Sequence, residues 1–465
     1  MKRLLSLCMI SLFALTCVAQ QAQTWSGELS LGANKLNISF NIKTLADNQQ
    51  VCTMDIPEQG AKDFPVELVK NDVDSLIIAM PALQANYKGH KVSSDNIKGY
   101  FTQIGYTFRL DLTPSKITIS RPQTPTPPFA YKTQEVTFLS PKNNATLAGT
   151  LTYPIHYNEQ NAHSTPVVLM VTGSGAQNRD EEVFDHKLFL VIADHLAKNG
   201  IASLRYDDRG FAASTGNIEG TTDDNLADAE AGIQYLRDLK QFGKVGVIGH
   251  SEGGTIAFLL GAKHSVDFLI SLAGAAARGV DLLVGQNKAI LHLKGIPQEM
   301  ANDYANVLKE IFKDRIKSTP IADPAQYVAD LCQDMQINLP AILMANLEQC
   351  ISSGGQWMDY FLAYDPSVAI RQITCPVMAV NGTLDVQVLA QDNLPVIQQH
   401  LPASKKHLIK EYEALNHFLQ HCTPATALSY GQIEETISEE VLQDLVNWIQ
   451  SINKSISIIG LNTQN

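Results

Sequence analysis

The chain has 465 residues, 45% hydrophobic and 18% charged, with 35 Lys and Arg against 47 Asp and Glu and a formal net charge of −12. That length exceeds one ordinary domain and allows a large core, and beyond the N-terminus no apolar run is long enough to span a bilayer. An acidic chain with no Lys/Arg cluster interleaved with aromatics repels phosphate backbones, which excludes nucleic acid as a partner.

Met1-Lys2-Arg3 followed by the apolar stretch Leu4 to Leu15 reads as a secretory signal over residues 1–19. Cleavage after Ala19 would leave small residues, Cys17 and Ala19, at the positions a signal peptidase inspects. The mature chain is therefore expected outside the cytoplasm, periplasmic or extracellular. Leu15-Thr16-Cys17 also allows a lipid anchor at Cys17 and a lipoprotein. The five remaining cysteines, Cys52, Cys332, Cys350, Cys375 and Cys422, lack C-x-x-C spacing, so no metal or cofactor is expected. Export permits a disulfide, with Cys332 and Cys350 the nearest pair; free buried thiols are the alternative.

Residues 23–120 alternate apolar and polar, as in Leu36-Asn37-Ile38-Ser39-Phe40-Asn41-Ile42. Period two means half-buried strands, and the turn signals between them predict seven or eight strands in a small antiparallel barrel or sandwich. The proline-rich stretch 121–130 reads as a semi-rigid connector. Residues 131–275 open with two strands and then alternate strand with helix: strand Pro166 to Val171, helix Phe184 to Lys198, strand Ile201 to Tyr206, helix Thr221 to Leu239, strand Val245 to Ile248, strand Val266 to Leu272. That pattern predicts an α/β fold, a mostly parallel sheet flanked by helices. Residues 276–368 are helical only and form an inserted cap, and residues 369–455 resume with strands Pro376 to Val380 and His407 to Glu411 and the closing helix Glu439 to Ile452.

Gly249-His250-Ser251-Glu252-Gly253 falls on the turn between the strand at 245–248 and the next helix, which makes Ser251 a candidate nucleophile. Side chains at Gly249 and Gly253 would collide with the neighbouring strand and helix. A serine hydroxyl needs a histidine base oriented by a carboxylate. Asp385 stands just past the strand ending at Val380, and His417 follows the loop after the last strand, so order and position fit a triad of Ser251, Asp385 and His417. His421 lies one helical turn further on and reads as a surface residue, His250 points away from the serine, and Asp359 and Asp365 precede the strand rather than follow it. For an oxyanion, one N–H is expected from Glu252 and a second from Ser174 or Gly175, in the glycine loop after Val171. The cluster Arg205-Tyr206-Asp207-Asp208-Arg209-Gly210 reads as a structural ion-pair network.

With Gly173 to Asp180, Arg205 to Gly210, Gly249 to Gly253 and the late Asp385 and His417, the chain resembles the α/β-hydrolase superfamily. Within it, residues 131–453 are similar to exported bacterial carboxylesterases with a β-rich N-terminal domain, a group often labelled by similarity to serine aminopeptidases. The resemblance implies an α/β-hydrolase fold with a helical cap and a separate antiparallel all-β N-terminal domain. It also implies hydrolysis of short acyl esters, a carboxylic ester hydrolase acting on small-molecule esters. The aromatic segment Trp357-Met358-Asp359-Tyr360-Phe361 is similar as well, which places Trp357 and Tyr360 as candidates for the substrate pocket. Two alternatives stand beside the esterase: an aminopeptidase-like serine peptidase that pairs a cap acid such as Glu299, Asp303 or Glu310 with the substrate amine, and a non-catalytic protein binding a glycan or peptide.

Overall fold

Eight strands make up the first part of the chain: β1 (Ala22–Leu31), β2 (Asn34–Thr44), β3 (Gln50–Ile56), β4 (Ala61–Asn71), β5 (Ser75–Met80), β6 (Ala85–Ser93), β7 (Asn96–Gln103) and β8 (Tyr106–Arg109). The computed structural model describes residues 22–31, 34–45, 49–115 and 119–454, so the expected signal segment and Cys17 lie outside the described residues. Two units divide between Ile119 and Ser120.

In the first unit each strand pairs antiparallel with the next in sequence order. Period-two alternation sends Phe40, Ile42, Ile78, Tyr87 and Ile97 into one core. Beyond β8 the backbone bridges Ile97 of β7 through Leu112 and Ser26 of β1 through Thr113, with both Ser26–Thr113 hydrogen bonds at 2.9 Å. The first strand thus meets the end of the last, so the sheet closes as a barrel rather than splitting into a sandwich, and closure satisfies edge groups that would otherwise pair with another chain.

The second unit is built on β9 (Thr133–Ser140), β10 (Ala145–Thr152), β11 (Val167–Val171), the small hairpin β12 (Glu182–Val183) and β13 (His186–Lys187), β14 (Ala202–Tyr206), β15 (Val245–His250), β16 (Phe268–Leu272), β17 (Val377–Gly382) and β18 (Leu408–Tyr412). The main sheet runs β18-β17-β16-β15-β11-β14-β10-β9; β9 and β10 are antiparallel and the rest parallel. All five residues of β11 are buried, as expected of a strand covered on both faces. Helices α1 (Leu188–Lys198), α2 (Thr222–Asp238) and α3 (Glu252–Ala262) cover it. α2 and α3 pack on one face with Ile233, Leu236, Ile256 and Leu260, and α1 packs on the other with Phe189, Ile192 and Leu196. Helix α1 starts four residues later than periodicity predicts because Phe184 (φ 54°) and Asp185 (φ 60°) turn the chain into the β12–β13 hairpin first.

Between β16 and β17 the chain is helical: α4 (Gly279–Leu293), α5 (Gln298–Ile316), α6 (Pro324–Asp334), α7 (Ala341–Ser352), α8 (Gly355–Ala363) and the short α9 (Ser367–Ile370). α5, α6 and α7 bury Val307, Leu308, Ile311, Val328, Leu343 and Leu347 in a core of their own. Cys332 and Cys350 belong to this core, and both are free thiols. The unit ends with α10 (Ala390–His400) and α11 (Glu439–Lys454), whose Val441, Leu442, Leu445, Val446, Ile449 and Ile452 keep a 3.6-residue period against the sheet. The stretch read as a connector is tied to this unit: the Arg121 guanidinium donates to the carbonyls of Phe184, Gly431 and Ile433.

Candidate active site

Strand order decides what can meet. β11 and β15 are parallel neighbours with Val171 opposite Gly249, so the glycine loop after β11 and the turn after β15 emerge side by side. β17 lies two strands beyond β15, and β18 is next to it. The loops carrying Asp385 and His417 therefore leave the same edge of the sheet as Ser251, the edge where parallel α/β sheets gather functional groups.

Ser251 sits at φ 55°, ψ −120°, backbone that an L-residue adopts only under tertiary constraint. The constraint is visible. Its N–H donates to the Leu272 carbonyl of β16 at 3.0 Å, and a Cβ on Gly249 or Gly253 would collide with the Gly253 carbonyl or with the carbonyls of Val171 and Thr172. The nucleophile-elbow glycines are thus required by close approach of β11, β15 and α3.

His417 is buried, and its Nδ1 lies 2.8 Å from Asp385 Oδ2. A carboxylate accepts, so Nδ1 carries the proton and Nε2 is left as the basic nitrogen. The other carboxylate oxygen, Oδ1, accepts the N–H groups of Gln387 (2.8 Å) and Val388 (2.9 Å), which fixes the acid. Ser251, Glu252, Ser174, His417 and Trp357 line one cavity of about 370 Å³. Asp385 stands behind His417, outside the lining.

The glycine loop is resolved into roles that its sequence leaves open. The Gly173 N–H is occupied by Glu181 Oε1 at 2.9 Å. Ser174 borders the cavity at Ser251, whereas Gly175 borders a second cavity and not this one. Asp208 secures the loop at both ends, accepting from Thr172 Oγ1 (2.9 Å) and the Gln177 N–H (2.7 Å). Burial raises the Asp208 pKa to about 7, against the pull of those same hydrogen bonds. Its neighbours form the expected ion pairs: Arg205 with Asp180, Asp207 with Arg179 at 2.7 Å, and Arg209 with Asp228 at 2.6 Å.

Two expectations need correction. Tyr360 does not line the cavity. On α8, Trp357 and Phe361 are four residues apart, stack at 5.2 Å and face Ser251, while Tyr360 is turned onto Tyr364 at 5.9 Å. His250 does not serve the serine, but it does border the cavity. Its Nε2 donates to the His417 carbonyl at 3.0 Å and its Nδ1 to Glu181 Oε1 at 2.9 Å, an imidazolium with both protons engaged. Burial opposes that charge, yet the attraction and hydrogen bond of Glu181 outweigh it and hold the His250 pKa above its ordinary value. His421 is exposed and paired with Glu435.

Two supporting side-chain roles carried no signal in the sequence. Glu181 braces His250 and Gly173, and the Glu252 side chain accepts Thr222 Oγ1 at 2.6 Å and the Trp357 indole N–H at 3.0 Å to each oxygen. Their partners lie up to 105 residues away.

The sequence pattern of the X-Pro dipeptidyl-peptidase (S15) family matches residues 144–417, more than half of the chain, from the turn before β10 to His417. The chain belongs to this family. Esterase EstD of Thermotoga maritima is similar to the S15-family chain, 23% identical over 288 residues that make up 60% of this chain and 62% of the relative; the chain thus spans less than two thirds of that curated relative. Among solved structures, an esterase of Pyrococcus furiosus aligns with 72% of this chain and 98% of its own (13% identity, TM-score 0.44), and a proline iminopeptidase of Mycobacterium smegmatis with 70% and 100% (12% identity, TM-score 0.42). Family and topology together give this S15-family chain the α/β-hydrolase fold.

Proposed function

We propose that the chain is a carboxylesterase that cleaves short acyl esters through an acyl-enzyme on Ser251. The observation that carries this reading is the wall of the Ser251 cavity, where Val183, Phe184, Leu282, Phe361 and Phe418 give an acyl group apolar contact and both carboxylates are already engaged. Glu181 is held by His250 and Gly173, and Glu252 by Thr222 and Trp357. A peptidase that takes a free N-terminus needs an open carboxylate for the ammonium. Glu299, Asp303 and Glu310 of the cap are absent from the wall, and Glu310 is paired with Lys313 at 2.7 Å.

In this mechanism Ser251 Oγ attacks the ester carbonyl as His417 Nε2 takes its proton. Asp385 holds the imidazole in the required tautomer and stabilises the imidazolium. The N–H groups of Glu252 and Ser174, neither with an acceptor among the described residues, receive the oxyanion; removal of one such donor typically costs about 3 kcal/mol of transition-state stabilisation. His417 returns the proton to the leaving alkoxide, and water then releases the acid by the reverse sequence.

For the peptidase, Glu252, whose donors Thr222 and Trp357 are both uncharged, would have to give up one of them to meet the substrate ammonium. Turnover of p-nitrophenyl butyrate against Ala-Pro-p-nitroanilide separates the readings. The esterase predicts fast ester cleavage, fluorophosphonate labelling, and loss of both in Ser251→Ala. Efficient release of nitroaniline with poor ester turnover would replace the esterase by the peptidase.

A further inference from the structure

A second cavity of about 640 Å³ lies across Trp357 from the catalytic one, and the two share only Ser174 and Trp357 in their walls. The partition is therefore the Trp357 side chain and the loop that offers the Ser174 N–H. The second cavity thus begins at the residue that offers one oxyanion N–H, on the far side of Trp357 from Ser251. The two walls differ in chemistry. The Ser251 side joins the aromatic and aliphatic groups Val183, Phe184, Leu282, Phe361 and Phe418 to polar side chains such as Gln286 and Gln387, whereas the second cavity, with Ile218 its one large aliphatic residue, presents Asn225, Glu219, Gln356, Asp208, Arg209 and glycine backbone.

Three polar groups there are open. Asn225 Oδ1 lies 3.5 Å from the Arg209 guanidinium, and its Nδ2 has no acceptor among the described residues. The side chains of Glu219 and Gln356 are exposed and make no hydrogen bond among the described residues. Arg209, the one cation in the wall, is neutralised by buried Asp228, so an anionic group finds no free counter-charge. A carboxylate and two amides around an aromatic ring match a ring or chain of hydroxyls: the carboxylate and amide oxygens accept O–H groups, the amide N–H groups donate to hydroxyl oxygens, and the indole packs against C–H faces.

We propose that this cavity is the alcohol subsite, and that the substrate is an ester between a short apolar acid and a polyhydroxylated alcohol, a sugar or polyol. The assignment rests on the esterase reading. Ser251 Oγ bonds to the acyl carbon as the bond from that carbon to the alcohol oxygen breaks. The serine proton passes through His417 to that oxygen, and the neutral polyol departs into the second cavity. Water then displaces Oγ and releases the acid.

The test uses the full chain and three acetates: p-nitrophenyl acetate, ethyl acetate and a methyl glucopyranoside monoacetate. The sugar ester is expected to exceed ethyl acetate in kcat/KM by about a hundredfold, as for three hydrogen bonds of ordinary strength. The double variant Glu219→Ala/Gln356→Ala, at two exposed positions, is expected to lower the ratio of sugar ester to ethyl acetate by about tenfold, through KM. If p-nitrophenyl acetate is turned over but the wild type shows no preference for the sugar ester, or the double variant leaves the ratio unchanged, the alcohol subsite is refuted and the esterase stands. If none of the three is hydrolysed, the esterase reading fails and this one with it.

Discussion

The contact between Glu252 and Trp357 joins the elbow to the helical cap, and it can be measured. Glu252 is the first residue of α3 and is 2% exposed; its carboxylate is met by one hydroxyl and one indole N–H. Trp357→Phe keeps a ring against Phe361 but deletes the N–H, and Glu252→Gln keeps the shape but replaces an acceptor by a donor. A hydrogen bond to a charged group contributes about 1.5–3 kcal/mol, and burial of this carboxylate argues for the upper half. The loss displaces a wall of the Ser251 cavity, so each single variant is expected to lower kcat/KM for p-nitrophenyl butyrate by about 10- to 100-fold, at 1.36 kcal/mol per decade. Both variants break the same contact. Their effects should therefore not add: the double variant should cost about 1.5–3 kcal/mol less than the sum of the singles. A cycle that closes to within about 0.5 kcal/mol would show that the cap is placed by other contacts and refute the argument.

Asp385→Asn keeps an oxygen for the N–H groups of Gln387 and Val388 and so turns its amide N–H toward His417 Nδ1, forcing the proton to Nε2; kcat is expected to fall by about 10³- to 10⁴-fold, and a fall below tenfold in ester turnover would contradict the assigned tautomer. Glu181→Gln strands the His250 imidazolium without its counter-charge, and a broken buried pair costs about 3–5 kcal/mol, visible as a lower unfolding temperature in calorimetry; a shift worth less than about 1 kcal/mol would mean that His250 is held neutral. Asp208 keeps a proton in the folded chain up to about pH 7 that the unfolded chain releases near pH 4. Between those values the folded state binds more protons, so stability falls as pH rises, by at most about 1.4 kcal/mol per unit, and the contribution is fully present below pH 4. Asp208→Asn lacks this slope and should gain on the wild type from pH 4 to pH 7; parallel melting curves would refute the shift.

Period-two and period-3.6 patterns were enough to read the barrel strands, the sheet and the helical cap, because burial acts within each element. Ser251, Asp385 and His417 were readable as candidates for a related reason: each follows the end of a strand, and a parallel sheet brings such ends to one edge. Contacts between distant elements were not readable. The choice of barrel over sandwich depends on Thr113 bridging Ser26, and the β12–β13 hairpin depends on two residues at positive φ. Glu181 meets His250 across 69 residues, and nothing local marks that acid among Asp180, Glu181 and Glu182. Tyr360 and Phe361 are adjacent aromatics on one helix, and only the rotation of α8 against the sheet decides which of them faces the serine.

One contact that sets that rotation comes from the residue next to the nucleophile, beside the hold of Arg315 on Asp359 and Gly355. In the proposed mechanism the backbone N–H of Glu252 receives the oxyanion, and its side chain holds Trp357, which joins the cap to the first turn of α3. The opposite wall depends on none of this. Glu181 and Asp208 anchor the glycine loop through Gly173, Thr172 and Gln177, and among the described residues neither hydrogen-bonds to the cap. Substitutions among Leu282, Phe361 and other cap residues of the wall should therefore act on KM and on the choice of acyl group. Those at Glu181 or Asp208 should act on kcat, because they move a donor without changing the volume offered to the substrate. Residue 252 belongs to both sets, so it is the position where specificity and rate cannot be altered separately.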